Sequence, residues 1–207
     1  MNILGISLGH DSNISMVSDG KIIGIMEAER FFRQKRYKLG CPDLFFEKEK
    51  SGFQYMSSND LNIILSHVAK EWGKNFDYVA VQNQGRVEEY NNLLSILKQN
   101  DINYKNSVSV NHHLSHASLA FYSSPFSESL VLSYDGTGND GYTVFFKADG
   151  KSGMKYLSYP NFRFGQCYNN MGFIVGVKPD VSGTSSGKTM GLSAYGELRE
   201  DWIPYVQ

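Results

Sequence analysis

The sequence predicts an α/β fold from three observations: an opening hairpin, helical stretches that cross over between strands, and a second hairpin closed by a glycine-rich turn. Ile3 to Leu8 is an apolar run, Ile14 to Val17 resumes it, and Lys21 to Met26 returns after Asp19-Gly20, a turn pair that favours antiparallel pairing of its flanks. From Glu27 to Gln54 the chain is charged and aromatic, with Arg30, Arg33, Lys35, Arg36 and Lys38 close together and Gly40 and Pro42 as breakers. That segment reads as a loop or short helix presenting cations. Ser58-Asn59-Asp60 then caps a stretch in which Leu61, Ile64, Leu65, Val68 and Ala69 recur at helical spacing, giving an amphipathic helix to about Trp72. Tyr78 to Val81 reads as a strand, Val87 to Lys98 as a helix, Ser107 to Val110 as a strand and His113 to Tyr122 as a helix. Leu130 to Tyr134 is a buried strand, Tyr142 to Phe146 begins the next, and Asp149-Gly150 signals a further hairpin. Beyond Pro160, Cys167 to Val177 looks helical, and Ser182 to Gly196 is rich in Gly, Ser and Thr. The chain carries no repeat of fixed period and no low-complexity linker.

At 207 residues the chain suits one or two compact domains with a hydrophobic core. Lys plus Arg (20) nearly balances Asp plus Glu (21), so no net field draws it to DNA or to an anionic membrane. There is no apolar run of about 18 residues to span a bilayer. The N-terminus reaches Asp11 without the charged start and long apolar centre of a secretory signal, and a cytoplasmic location is the expectation. Cys41 and Cys167 stand far apart and outside any C-x-x-C, which argues against a disulfide scaffold or a zinc ribbon.

Several constellations are able to carry chemistry. His112 and His116 stand four apart and share one face of a helix, where two imidazoles can bind one metal ion; taken alone, a packed or solvated helix face is the commoner explanation of such a pair. In Ser133-Tyr134-Asp135-Gly136-Thr137-Gly138-Asn139-Asp140-Gly141 an apolar strand ends in an acid followed by glycines. A strand-end Asp135 can hold a cation or its water, and Gly136, Thr137 and Gly138 let the backbone approach an anion; a plain hairpin turn is the alternative. Asp135 is favoured over Asp140. The loop Gly9-His10-Asp11-Ser12 follows a buried strand and reads as substrate-facing or as a simple turn with a surface histidine. The cluster from Arg30 to Lys38 offers forked and point-charge donors to phosphates, or is a solvated loop. Gly187-Lys188-Thr189 ends like a phosphate loop, but Ser182 occupies the place of the first glycine of G-x-x-x-x-G-K-[ST], so a Walker loop is rejected.

Four blocks in one order resemble the O-carbamoyltransferases of the nodulation-factor and antibiotic-tailoring type. They are Ile3-Leu4-Gly5-Ile6 through His10-Asp11-Ser12 with Glu29-Arg30-Phe31, Arg33 and Lys35; Asn111 through Ala117 running into Ala120-Phe121-Tyr122-Ser123-Ser124-Pro125-Phe126; Asp135-Gly136; and Gly187-Lys188-Thr189-Met190-Gly191-Leu192 with Tyr195-Gly196. Ala28, Ser186 and Tyr37 depart from that pattern by replacing acids. The resemblance implies the N-terminal lobe of an actin-like, ribonuclease H-like ATPase fold with a mixed sheet. Residues 1–207 would form an incomplete portion of that domain, lacking a second lobe and a C-terminal YrdC-like domain. It implies that carbamoyl phosphate and ATP give a carbamoyl-adenylate, whose carbamoyl group passes to a hydroxyl of a small molecule or glycan. By the same resemblance His112, His116 and Asp135 match ligands of a divalent metal, iron by preference. The resemblance also implies that His10, Asp11 and Lys35 lie near the carbamoyl group or phosphate and that Lys188 contacts nucleotide or phosphate. The alternatives are a tRNA threonylcarbamoyl-transfer protein, an actin-like kinase relative, and a non-catalytic fragment that binds metal or pairs with another chain; a homodimer is a further expectation.

Overall fold

The computed structural model describes residues 1–9, 11–35, 37–39, 54–55, 57–82, 87–138, 141–179, 184–197, 199–202 and 204. The opening pattern folds as an antiparallel meander of β1 (Asn2–Ser7), β2 (Asn13–Ser18) and β3 (Lys21–Glu27). At its tip Asp19 (φ 49°) and Gly20 (φ 78°) are both left-handed, the conformation that lets a two-residue turn follow the twist of the strands. The cationic stretch forms a short helix, α1 (Ala28–Phe32), and β4 (Tyr37–Lys38), which pairs with β5 (Gln54–Tyr55). Gly40 and Pro42 lie outside the described residues.

α2 (Ser58–Trp72) starts from Ser57, one residue before the expected cap. The Ser57 hydroxyl accepts from the Asp60 N–H while the Asp60 carboxylate accepts from the Ser57 N–H, so the two satisfy each other's orphan donors. Then come β6 (Asn75–Gln82), α3 (Val87–Gln99) and β7 (Asn103–Val110). The five strands form one mixed sheet in the order β3-β2-β1-β6-β7, antiparallel in the meander and parallel from β1 through β7. Leu4, Ile6, Ile14, Met16, Val79 and Val81 face the apolar stripes of α2 (Ile64, Leu65, Val68) and α3 (Leu93, Leu97). Each such side chain contributes roughly 1.5–3 kcal/mol when fully buried, which makes this the main core. The opposite face of the sheet leaves Ile22, Ile25, Tyr78 and Val108 exposed.

After β7 the chain enters α4 (His112–Tyr122) and then a second, antiparallel sheet of β8 (Glu128–Gly138), β9 (Gly141–Asp149) and β10 (Gly153–Ser158), in the order β10-β9-β8. Val131, Val144, Phe146 and Ala148 pack against Ala117 and Phe121 of α4. The alternate positions of β8, Leu130, Leu132 and Tyr134, point outward and are exposed. α5 (Phe164–Ile174) begins before the expected Cys167 and rests on β8. α6 (Ser186–Ser193), which the small-residue composition of its segment concealed, packs on α5 where Gly172 leaves room for the Ser185 and Thr189 side chains. The α/β class with a mixed sheet is what the sequence predicts. No described helix is long and apolar enough to cross a membrane.

One polar contact ties β4 to α2. The buried Tyr37 hydroxyl donates to Asp60 Oδ2 at 2.6 Å, and burial together with that carboxylate pushes the phenol up to about 12. Between pH 10 and about 12 the folded state holds a proton that an unfolded Tyr37 has released, so stability falls through that window. Tyr37→Phe is expected to cost about 1 kcal/mol at neutral pH and to flatten the alkaline loss, as read by urea unfolding at a series of pH values. An unchanged alkaline slope would show that another group titrates there.

Candidate metal centre

The junction between β7 and α4 builds the site. Asn111 takes extended backbone at the end of β7, and its carbonyl accepts both the backbone N–H and the hydroxyl of Ser115 at 2.9 Å, which starts α4 at His112. One turn later His116 stacks edge-on to His112, with ring centroids 4.7 Å apart. On the other side, the β8–β9 ladder breaks between Tyr134 and Gly138, where pairing resumes with Gly141. That irregularity frees Asp135 from the ladder and turns its carboxylate onto α4.

Asp135 Oδ2 lies 2.7 Å from His112 Nε2 and 3.6 Å from His116 Nε2, and its Oδ1 accepts the Gly136 N–H at 2.6 Å. One ligand atom from each of the three side chains falls within 4.8 Å of the others. The hydrogen bond from His112, then the neighbouring His116 ring and the Gly136 N–H, hold the Asp135 carboxyl well below the usual carboxylate range. Its partner His116 is raised by the same carboxylate. His112 is mostly buried, whereas His116 and Asp135 open onto a cleft of about 310 Å³ walled by Ala120, Leu132 and Tyr134. Two imidazoles and an ionised carboxylate converging on one point, with one side open, fit a divalent cation that keeps a position for substrate or water.

Contacts that no motif spells out hold this geometry. His113 is fully buried; its Nε2–H donates to the Gly141 carbonyl at 3.0 Å and its Nδ1 accepts from the Ser133 hydroxyl at 2.8 Å. It thereby pins α4 to both strands of the hairpin that carries Asp135. Gly138 is required by proximity, because a β-carbon there would meet the His113 ring at 2.8 Å and the His112 ring at 3.0 Å. At Gly165 on α5 a β-carbon would come within 2.7 Å of the Gly136 nitrogen, so that helix lies directly on the backbone of the Asp135 turn. Gln82, at the end of β6, places its amide nitrogen 3.4 Å from His112 Nδ1.

The remaining sequence candidates are dispersed. His10 lies outside the described residues, as does Asp140, and of Thr137 only the backbone, within β8, is described. Asp11 (φ 58°) sits in a groove of about 650 Å³ with Glu27, Glu29, Arg30 and Leu119. Its loop is fastened by Ser12, whose hydroxyl donates to the Gly9 carbonyl and accepts the Leu39 N–H at 2.7 Å. Lys35 is exposed in the turn after α1, and among the described residues neither it nor the three donors line that groove. Lys188, on α6, donates to the Lys178 carbonyl at 3.1 Å. The segment before it is engaged by Asn169, whose Oδ1 accepts the Ser185 N–H at 2.7 Å.

Residues 2–206 match the family described as carbamoyltransferase N-terminus. An uncharacterized protein of Methanocaldococcus jannaschii is 32% identical over 197 residues, which cover 93% of this chain and 33% of that protein. An uncharacterized protein of Synechocystis is 28% identical over 226 residues, covering 95% of this chain and 35% of its own length. The chain thus spans about a third of the curated relatives it matches.

Proposed function

Given that the chain belongs to the carbamoyltransferase N-terminal family, we propose that it forms the metal-bearing part of an O-carbamoyltransferase. In this reading carbamoyl-adenylate, made from carbamoyl phosphate and ATP, gives up its carbamoyl group to a hydroxyl of a small molecule or glycan. The observation that carries it is the convergence of His112, His116 and Asp135 on one point at the mouth of a cleft.

His112, His116 and Asp135 would hold a divalent cation, iron by preference, which when bound neutralises phosphate charge and polarises the acyl group. Asp135 suits this role because it stays ionised far into acid, and His116 contributes once its proton is displaced. The Gly136–Gly138 backbone and Lys188 are assigned to nucleotide, and Lys35, Asp11 and His10 to the carbamoyl and phosphate groups. Preorganised charge of this kind stabilises the developing oxyanion without reorganising during the reaction. The order of the first sheet supports an actin-like lobe, and the relatives' additional length leaves room for a second lobe and an adenylate-forming domain. The exposed faces formed by Ile22, Ile25, Tyr78 and Val108 and by Leu130, Leu132 and Tyr134 are surfaces that such parts would cover.

The test supplies the chain with the part of the Methanocaldococcus protein beyond the matched third, ferrous iron, ATP, radiolabelled carbamoyl phosphate, and panels of hydroxyl compounds and tRNA. Label moving onto a hydroxyl compound with equimolar AMP is the expected result. Threonine-dependent labelling of tRNA would replace this reading with tRNA threonylcarbamoyl transfer.

A further inference from the structure

We propose that Gln82 is the positioning residue of the metal centre, its amide oxygen accepting the Nδ1–H of His112 so that His112 Nε2 is presented as a bare lone pair. The inference rests on the metal reading and deepens it. A neutral imidazole has one N–H and one lone pair, and the choice of nitrogen is fixed by whatever faces the other side of the ring. His112 Nε2 points at Asp135 Oδ2, 2.7 Å away, and Nδ1 points at the Gln82 amide, 3.4 Å away. The His112 side chain is only 11% exposed, so its ring nitrogens depend on protein partners.

Without a cation the two contacts agree: Nε2–H donates to Asp135, and the Gln82 NH2 donates to Nδ1. With a cation on Nε2 the proton must sit on Nδ1, and an NH2 group facing it would be a clash of donors. Turning the Gln82 amide over resolves this, because its oxygen and nitrogen occupy equivalent places. Ser7 permits the turn. Its hydroxyl now donates to Gln82 Oε1 at 3.2 Å, and after the turn Ser7 Oγ accepts from the Gln82 NH2.

Gln82 is itself firmly held. It pairs with Ser7 across the parallel β1–β6 ladder, and its backbone carbonyl accepts the Leu8 N–H at 2.8 Å. The orienting contact therefore joins the cation site to the rigid end of the first sheet and to the strand that leads into the Asp11 loop. No sequence motif marks it, since Gln82 precedes His112 by 30 positions.

The experiment measures cation affinity rather than turnover, by cobalt(II) titration followed in the visible spectrum, with metal-free thermal unfolding as the check on folding. Gln82→Met is expected to weaken binding about ten- to hundredfold, the usual effect of losing an outer-shell partner. Gln82→Glu, which can only accept, is expected to restore it. In zinc-loaded wild-type protein, nitrogen NMR of the imidazoles is expected to show His112 protonated at Nδ1, a readout that needs no variant. Wild-type affinity in Gln82→Met, failure of Gln82→Glu to restore binding, or a zinc-bound His112 without the Nδ1 proton would overturn the inference alone. A wild-type chain that binds no cation would overturn the metal reading and the inference with it.

Discussion

Asp135→Ala is expected to strip the chain of bound metal while leaving its fold intact. Asp135 is the one anionic donor of the three and the shared acceptor for His112 and His116, so its removal takes away a ligand and the group that aims the other two. The loss in affinity should exceed the roughly hundredfold that outer-shell changes produce. Because Asp135 is partly exposed and lies where the β8–β9 ladder is already broken, little packing is lost with it. Elemental analysis of protein purified without a histidine tag, beside circular dichroism, checks both halves, and wild-type metal content in the folded variant would sink the assignment.

The same carboxylate gives the metal-free protein a pH signature. Asp135 is depressed, so its contribution is present above the ordinary carboxylate value of 3.8 and lost only as pH falls through the lower folded value. His116 is raised, so its contribution is full below 6.5 and lost as pH rises through the folded value. The pair therefore helps folding most between about pH 4 and 6.5, and Asp135→Ala should remove that increment. Cation binding runs the opposite way, tightening as pH rises, because the His116 proton must leave first.

Gly138→Ala is expected to damage both the fold and the cation site with a single methyl group. The His113 ring it would meet at 2.8 Å cannot yield, being fully buried and bonded to Ser133 and Gly141. Either the hairpin backs away from α4, carrying Asp135 with it, or the histidines leave their rotamers. Overpacking of this kind costs about 1–3 kcal/mol, and here it should also lower cation affinity. Gly136→Ala is the control, since its β-carbon would have nothing within 4 Å. Urea unfolding and cobalt titration of both variants decide the matter: equal behaviour would mean that the hairpin is looser than the contacts indicate.

The sequence made the strands of the two larger sheets, most helices and the pair of histidines legible because each is written in local code: apolar runs in β1 and β8, the stripe of Leu61, Ile64, Leu65 and Val68, and two histidines one turn apart, with Asp135 standing out at a strand end and joined to them by the family resemblance. What it hid is set by tertiary contact. Gln82 and Ser133 are ordinary strand residues until the topology brings them to His112 and His113, and Gly165 is an ordinary glycine until α5 is laid on the Asp135 turn. Ser57 outcompetes Ser58 as the cap because only from Ser57 does Asp60 fall at the third helical position. α6 escaped because Ser, Gly and Thr are weak helix formers and its support comes from α5.

The donors also stand close together along the chain, 23 positions separating His112 from Asp135, and the contacts that brace them from Gln82 and Gly141 fall at or before Gly141. A ribosome adding about 5–20 residues each second completes that stretch within seconds. Closing so short a loop carries a small entropic cost. β9 and α5, which hold the Asp135 turn from outside that stretch, follow within about 35 further residues, so the cation site is complete once α5 has been made and the metal present at that stage of translation is the first to compete for it.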